Sequence, residues 1–77
     1  MKYNNFKIML RPEQEGGFTV IVPSLPGCIT YGSTIDEAKE MAKEAIELYL
    51  ESLSAHNEPI PNDNDTLEYN LLVENYA

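Results

Sequence analysis

Cys28 and His56 are the two residues whose types could support covalent catalysis, because an imidazole beside a thiol makes a nucleophile–base pair. The chain holds one cysteine and one histidine. The longest helical segment in the sequence separates them, and no third residue is placed to orient either group. We therefore predict that Cys28 is a small apolar residue on a short strand and that the protein is not an enzyme.

The thirteen carboxylates raise the question of a metal site. A two-metal nuclease site needs carboxylates that converge from strands and a helix end. The predicted first strand has none, and most carboxylates of the predicted helix point away from the sheet. Gly16-Gly17 is not followed by the Gly-Lys-Ser/Thr of a phosphate-binding loop. We therefore expect no metal and no cofactor.

Three short strands are predicted at the start of the chain. Tyr3–Arg11 and Phe18–Val22 alternate apolar and other side chains, and the two glycines between them suit a hairpin turn. Pro26-Gly27 is typical of a tight turn, and Cys28–Tyr31 is long enough for a third strand beside the second.

A long helix follows, which we predict to end near Ala55. Thr34 and Glu37 have the spacing of a capping box, although Ser33 could serve as the cap instead. At 100° per residue one stripe of small and apolar residues should face the sheet. It comprises Ile35, Ala38, Ala42, Ala45, Ile46, Tyr49, Leu50 and Leu53.

The opposite side of the helix is acidic and is the predicted partner-binding site. Its central residues are Glu40, Glu44, Glu47 and Glu51. They form either a solvated helix face or a docking ridge for a basic surface. Met41 and Leu48 lie at one edge of the apolar stripe, where they either flank the core or contact a second subunit or partner.

The rest of the chain is predicted to be a linker and one more strand within a single domain, residues 1–77. Residues 56–66 are polar, contain two prolines and have no periodicity. Residues 67–74 alternate as a strand does, at a sheet edge or on the sheet of another chain.

Composition limits the classes of partner. The net charge is −8, with +1 over residues 1–31 and −9 over residues 32–77. An acidic surface repels phosphate backbones, so we expect no direct nucleic-acid binding and a basic protein partner. No apolar run is long enough for a membrane span, and the first ten residues do not resemble a signal peptide. We therefore expect a cytoplasmic protein that does not engage a membrane.

The segment from Gly16 to Leu53 resembles the N-terminal domain of HicB-family antitoxins. Its strand ends in a proline, a Pro-Gly-Cys turn follows, and a glycine and a polar cap precede a helix with a Glu-Ala…Ala…Glu-Ala…Leu pattern. The matching residues are Pro23, Pro26, Gly27, Cys28, Gly32, Glu37, Ala38, Ala42, Glu44, Ala45 and Leu48.

The resemblance implies an α+β domain of β-β-β-α-β order. We expect a three- to four-stranded, mainly antiparallel sheet with one long helix on one face, a partial ribonuclease-H-like fold. It also implies an antitoxin of a type II toxin–antitoxin system that occludes a small, basic HicA-like toxin, an mRNA-cleaving ribonuclease.

The resemblance further implies a homodimer or a higher homo-oligomer. Many family members carry a C-terminal DNA-binding module, and we expect none here because the sequence stops at Ala77 after one strand. Two alternatives stay open: an orphan domain that binds only its own copies, and a residual metal-dependent ribonuclease.

Overall fold

The computed structural model describes residues 3–76, which form three strands followed by one long helix. This is the predicted α+β class and the predicted order of the first four elements. The elements are β1 (Met9–Pro12), β2 (Phe18–Ile21), β3 (Ile29–Gly32) and α1 (Ile35–Ala55).

The strands form one antiparallel sheet in the order β1-β2-β3. The register aligns Leu10 with Val20 and Val20 with Thr30, on the face that packs against the helix. In the β1–β2 turn, the Glu13 amide donates to the Gly17 carbonyl at 3.0 Å. Gly17 has a φ of 77°, and a Cβ there would collide with the Tyr31 hydroxyl, so both conformation and space require glycine.

β1 is shorter than predicted and begins at Met9 rather than Tyr3. Residues 3–8 still carry the predicted alternation, because Phe6 and Ile8 pack against the core while Met9 lies on the other face. They extend past the part of β2 that could pair with them, since β2 ends at Ile21 and Pro23 lacks an N–H.

The core has two parts that meet between helix and sheet. Val20 packs with Ala38 and Ala42 at one end, and Val22 packs with Leu25 and Cys28 at the other. The small helix residues let α1 lie close to the sheet, as the sequence predicts. A Cβ at Gly32 would overlap the backbone of Ala38, so β3 and the helix approach as closely as two backbones can.

Both ends of α1 have hydrogen-bonded caps. Thr34 is the N-cap and its Oγ1 accepts from the Glu37 amide at 3.1 Å, which settles the choice between Ser33 and Thr34. Glu37 in return accepts from the Ser33 amide at 2.7 Å. At the other end Asn57 has a φ of 57°, and the Glu58 amide donates to the Leu53 carbonyl, as in a Schellman motif.

Ile35 was predicted to lie in the buried stripe, and this prediction is wrong. Its side chain is 56% exposed. It is the first residue of the helix, and the close approach of helix to sheet occurs one turn later, at Ala38. The rest of the stripe is confirmed, since Ala45, Ile46, Tyr49, Leu50 and Leu53 pack against the core.

Asp63 fixes the segment predicted as a linker. Only 3% of this residue is exposed. Its carboxylate accepts hydrogen bonds from the Lys7 amide at 2.8 Å, from the Ser24 hydroxyl and from the Thr66 hydroxyl at 3.1 Å. Its own amide donates to the Asn5 carbonyl at 2.7 Å. We call this set of contacts the Asp63 clip.

Residues 67–74 do not form the predicted fourth strand within the single chain. All the strands in residues 3–76 precede the helix. The Thr66 amide donates to the Asp63 carbonyl in a turn at the clip, and the residues that follow line a hollow beside Met9 without pairing with β1. Residues 67–76, here called the tail, have no regular secondary structure and are exposed.

Candidate partner-binding surfaces

The four predicted glutamates lie together on the outer side of α1. Glu40, Glu44, Glu47 and Glu51 are all exposed, and the helical rise spaces the first and last about 16 Å apart. We call this row the acidic ridge. It is a continuous stripe of carboxylates opposite the buried alanines.

The acidic ridge opposes helix stability on its own. Glu40 and Glu44, and Glu47 and Glu51, are like-charge pairs four residues apart, each destabilising by about 0.2–0.5 kcal/mol. Lys43 lies three residues after Glu40 and four before Glu47, so it offsets part of this repulsion. Six carboxylates against two lysines leave α1 with a formal charge of −4. A basic surface docked on the ridge would relieve the repulsion.

The structure separates the two apolar residues predicted at the helix edge. Met41 is half-buried, whereas Leu48 is 67% exposed. Leu48 lies four residues after Glu44, on the same side of the helix. It gives the acidic ridge an apolar margin.

A groove runs along the other margin of the helix. It has a volume of about 700 Å³ and lies between residues 3–8 and the middle of α1. Phe6, Ile46 and Leu50 form its apolar floor, and Lys39 and Lys43 stand at its rim. The two lysines of the helix therefore lie on the groove side and not within the acidic ridge.

The face of the sheet that the helix does not cover carries a second surface, which sequence reasoning missed. Met9, Ile21 and Ile29 are in register across the three strands. Ile29 is 62% exposed and Met9 is 54% exposed. We call this row, together with the neighbouring Tyr31, the open sheet face. Its signal in the sequence was the apolar residues at strand positions that alternate with the core residues.

The residues considered for covalent chemistry have structural roles. Cys28 is buried with Val22 and Leu25, and burial raises the pKa of its thiol, which keeps it protonated and poorly nucleophilic. His56 is exposed at the helix end, with Nδ1 2.7 Å from the Ser52 carbonyl oxygen. Cys28 is thus the small apolar core residue that was predicted.

The described residues, 3–76, bear on metal binding and on membrane insertion. Among these residues, no three His, Cys, Asp or Glu side chains come together as metal ligands would. In the same part of the chain, no helix has the length and apolar character needed to cross a bilayer.

The family described as HicB-like antitoxins of bacterial toxin–antitoxin systems matches residues 6–77. The match spans the sheet, the helix, the Asp63 clip and the tail. The chain belongs to this family. The resemblance identified from the turn and helix residues is thereby confirmed.

Relatives of known name fall into two groups. A UPF0150 protein of Thermoplasma acidophilum is 48% identical over 64 residues, which cover 83% of this chain and 88% of that protein. Antitoxin HicB of Escherichia coli is 36% identical over 90% of this chain, and Antitoxin HicB 1 of Photorhabdus laumondii is 38% identical over 79%. The matched regions span 50% and 39% of those two antitoxins.

Proposed function

We propose that this protein is an antitoxin that binds a small, basic HicA-like toxin and blocks its mRNA-cleaving site by occlusion. The observation that carries the proposal is the family match over residues 6–77. The antitoxins of Escherichia coli and Photorhabdus laumondii among its relatives support the same role.

The acidic ridge is the proposed contact surface for the toxin. A ribonuclease that grips RNA needs a basic surface, and a row of carboxylates can compete with phosphates for it. The ridge is rigid because it lies on a helix that is capped at both ends and packed on the sheet. Charge complementarity of this kind raises the association rate and fixes orientation.

Leu48 is the proposed apolar anchor beside the ridge. Charged rims contribute little to affinity when they stay solvated, whereas an apolar side chain that becomes buried contributes more. Leu48 exposes 67% of its surface next to Glu44. Met41, which is half-buried, would contribute only its outer edge.

Self-association is the second part of the proposal. The open sheet face and the tail leave much apolar surface exposed on a chain of 77 residues. Chains this small bury a low fraction of their surface on folding, so association adds appreciable stability. We infer a homodimer or a higher homo-oligomer.

An RNA-cleavage assay with purified chain and a HicA-like toxin tests the antitoxin role. We expect the toxin alone to cleave RNA and an equimolar amount of this chain to stop cleavage. The chain alone, with or without Mg²⁺, should leave the RNA intact, since the proposed action is binding and not catalysis.

Two results would contradict the proposal in different ways. Persistent cleavage by the toxin at saturating chain would exclude occlusion and favour an orphan domain. Cleavage of RNA by the chain alone, dependent on Mg²⁺, would show a retained ribonuclease and overturn the non-enzymatic assignment.

A further inference from the structure

The fold of the single chain leaves the apolar side chains of the tail uncovered. Its large apolar side chains are each more than three-quarters exposed: Leu67, Tyr69, Leu71, Leu72, Val73 and Tyr76. The radius of gyration is 14.7 Å, against about 11–12 Å for a compact domain of this length. The longest dimension is 47 Å, and the others are 28 and 21 Å. The tail therefore projects from the body.

The start of the tail is held firmly even though its remainder projects. The Asp63 clip, together with a hydrogen bond from the Asn62 side-chain amide to Asn4 Oδ1, ties residues 62–66 to residues 4–7 and to Ser24. Leu67 and Tyr69 then line a small hollow with Met9 and Pro23, so the tail leaves the body beside the open sheet face. A strand-like segment is thus presented from a fixed point.

The edge of β3 has the properties of an acceptor for such a strand. Sheet edges are normally protected by charged residues, proline or a covering segment. β3 reads Ile-Thr-Tyr-Gly and has none of these protecting residues. The other edge strand, β1, contains Arg11 and Pro12, and the Asp63 clip covers the segment just before it. In residue type, β3 is therefore the less protected of the two edge strands.

The side chains of the tail and of the β3 edge are compatible. Leu71 and Val73 alternate with Asn70 and Glu74, so one side of an added strand would be apolar. That side would extend the apolar row of the open sheet face at its Ile29 end. The tail carries two glutamates and no basic residue, whereas residues 1–31 have a net charge of +1. Tail and sheet therefore attract weakly or are neutral to each other.

We propose that the tail of one copy adds as a strand to the β3 edge of a second copy, and that the second copy returns the same contact. Main-chain hydrogen bonds would supply the pairing, as in other cases of strand addition. Because each chain has one tail and one β3 edge, a reciprocal exchange closes into a two-fold symmetric dimer.

A second copy fits the observations better than a toxin does. Both the donor strand and the acceptor edge are present in this chain, and neither is strongly charged. The inference rests on the self-association proposed above and not on toxin binding. It is therefore tested on the purified chain with no toxin present.

Sedimentation equilibrium, combined with light scattering after gel filtration, measures the assembly. We expect the intact chain to have twice the mass of the 8.7 kDa monomer. Leu71→Pro removes an amide from the tail, and Ile29→Lys adds a charge to the β3 edge. Each should weaken the dimer at least tenfold without changing helix content by circular dichroism. Ile35→Lys is the matched control, since Ile35 is about as exposed as Ile29 but lies on the helix, and it should remain dimeric.

Mixing the two variants provides the decisive step. Leu71→Pro keeps a normal β3 edge and Ile29→Lys keeps a normal tail, so one tail–edge contact can re-form between them. We expect an equimolar mixture to form heterodimers under conditions where each variant alone is monomeric. A monomeric intact chain, a dimer that survives Leu71→Pro, or a mixture that stays monomeric would each overturn the proposal.

Discussion

The acidic ridge and the open sheet face lie on opposite sides of the molecule and differ in chemistry. The ridge is a row of carboxylates on a capped helix, suited to a basic partner whose attraction depends on salt. The sheet face and the tail are apolar and bear few charges, suited to burial against a like surface. We infer from this difference that the two proposed interfaces respond to different conditions.

Reversing two charges of the acidic ridge should have the largest effect of the changes proposed here. The effect should be confined to toxin binding. For Glu44→Lys with Glu47→Lys we expect toxin affinity at low salt to fall about 100-fold, since each reversal replaces an attraction by a repulsion. Isothermal titration calorimetry measures this change. The mass of the dimer should not change. Unaltered affinity at low salt would show that the acidic ridge does not contribute to toxin binding.

Salt should distinguish the two interfaces in the unmodified chain. Raising NaCl from about 50 mM to about 500 mM shortens the Debye length from roughly 14 Å to roughly 4 Å. We expect toxin affinity to fall about tenfold, mainly through slower association, while the dimer constant stays within about twofold. Surface plasmon resonance gives the rates and sedimentation gives the dimer constant. A dimer that dissociates with salt would mean that charge, and not apolar burial, holds it.

Asp63→Asn should weaken self-association and leave the acidic ridge unaffected. An amide offers one acceptor oxygen where the carboxylate receives three donors, so the melting temperature should fall by a few degrees at neutral pH. The dimer should weaken several-fold because the tail loses its fixed start. Thermal melts and sedimentation of the two proteins measure these effects.

The difference in stability between the intact chain and Asp63→Asn should depend on pH. The hydrogen bonds from Ser24 and from the Lys7 amide hold the pKa of Asp63 below its ordinary value of 3.8. The contribution of Asp63 to stability is therefore fully present above pH 3.8 and is lost as the pH falls through the lowered pKa. The intact chain and Asp63→Asn should converge in stability in strong acid. A gap in melting temperature that persisted there would contradict the role of the ionised carboxylate.

Thr34→Ala should give the smallest effect, confined to the helix. Loss of the N-cap hydrogen bond to the Glu37 amide should lower the free energy of unfolding by about 1 kcal/mol. Urea titration measures this loss. Because the cap lies more than a turn from Glu40, toxin affinity should change less than twofold. A larger change would indicate that the ridge depends on the helix start.

Local patterns in the sequence predicted most of the fold. Thr34 and Glu37 located the start of the helix, and the alanines at 38 and 42 identified its buried side. The pairing of β1 with β2 followed from two glycines between alternating segments. These features depend on neighbours within a few residues, which is why periodicity and capping rules detect them.

The features that were missed depend on contacts between distant residues. The Asp63 clip joins residues 56 positions apart, and nothing in the polar segment around Asp63 distinguishes it from Asp65. The exposed row of Met9, Ile21 and Ile29 requires the strand register, which alternation alone does not fix. The tail alternates as a strand does, but pairing also needs an available sheet edge, which periodicity alone does not show.

We propose that toxin binding and self-association use separate surfaces of this protein. The most direct test measures both properties, toxin affinity and assembly mass, on two variants: Glu44→Lys with Glu47→Lys, and Leu71→Pro. We expect the first variant to lose toxin affinity and stay dimeric, and the second to become monomeric and bind toxin as the intact chain does. Loss of both properties in either variant, with the helix content unchanged, would contradict the claim.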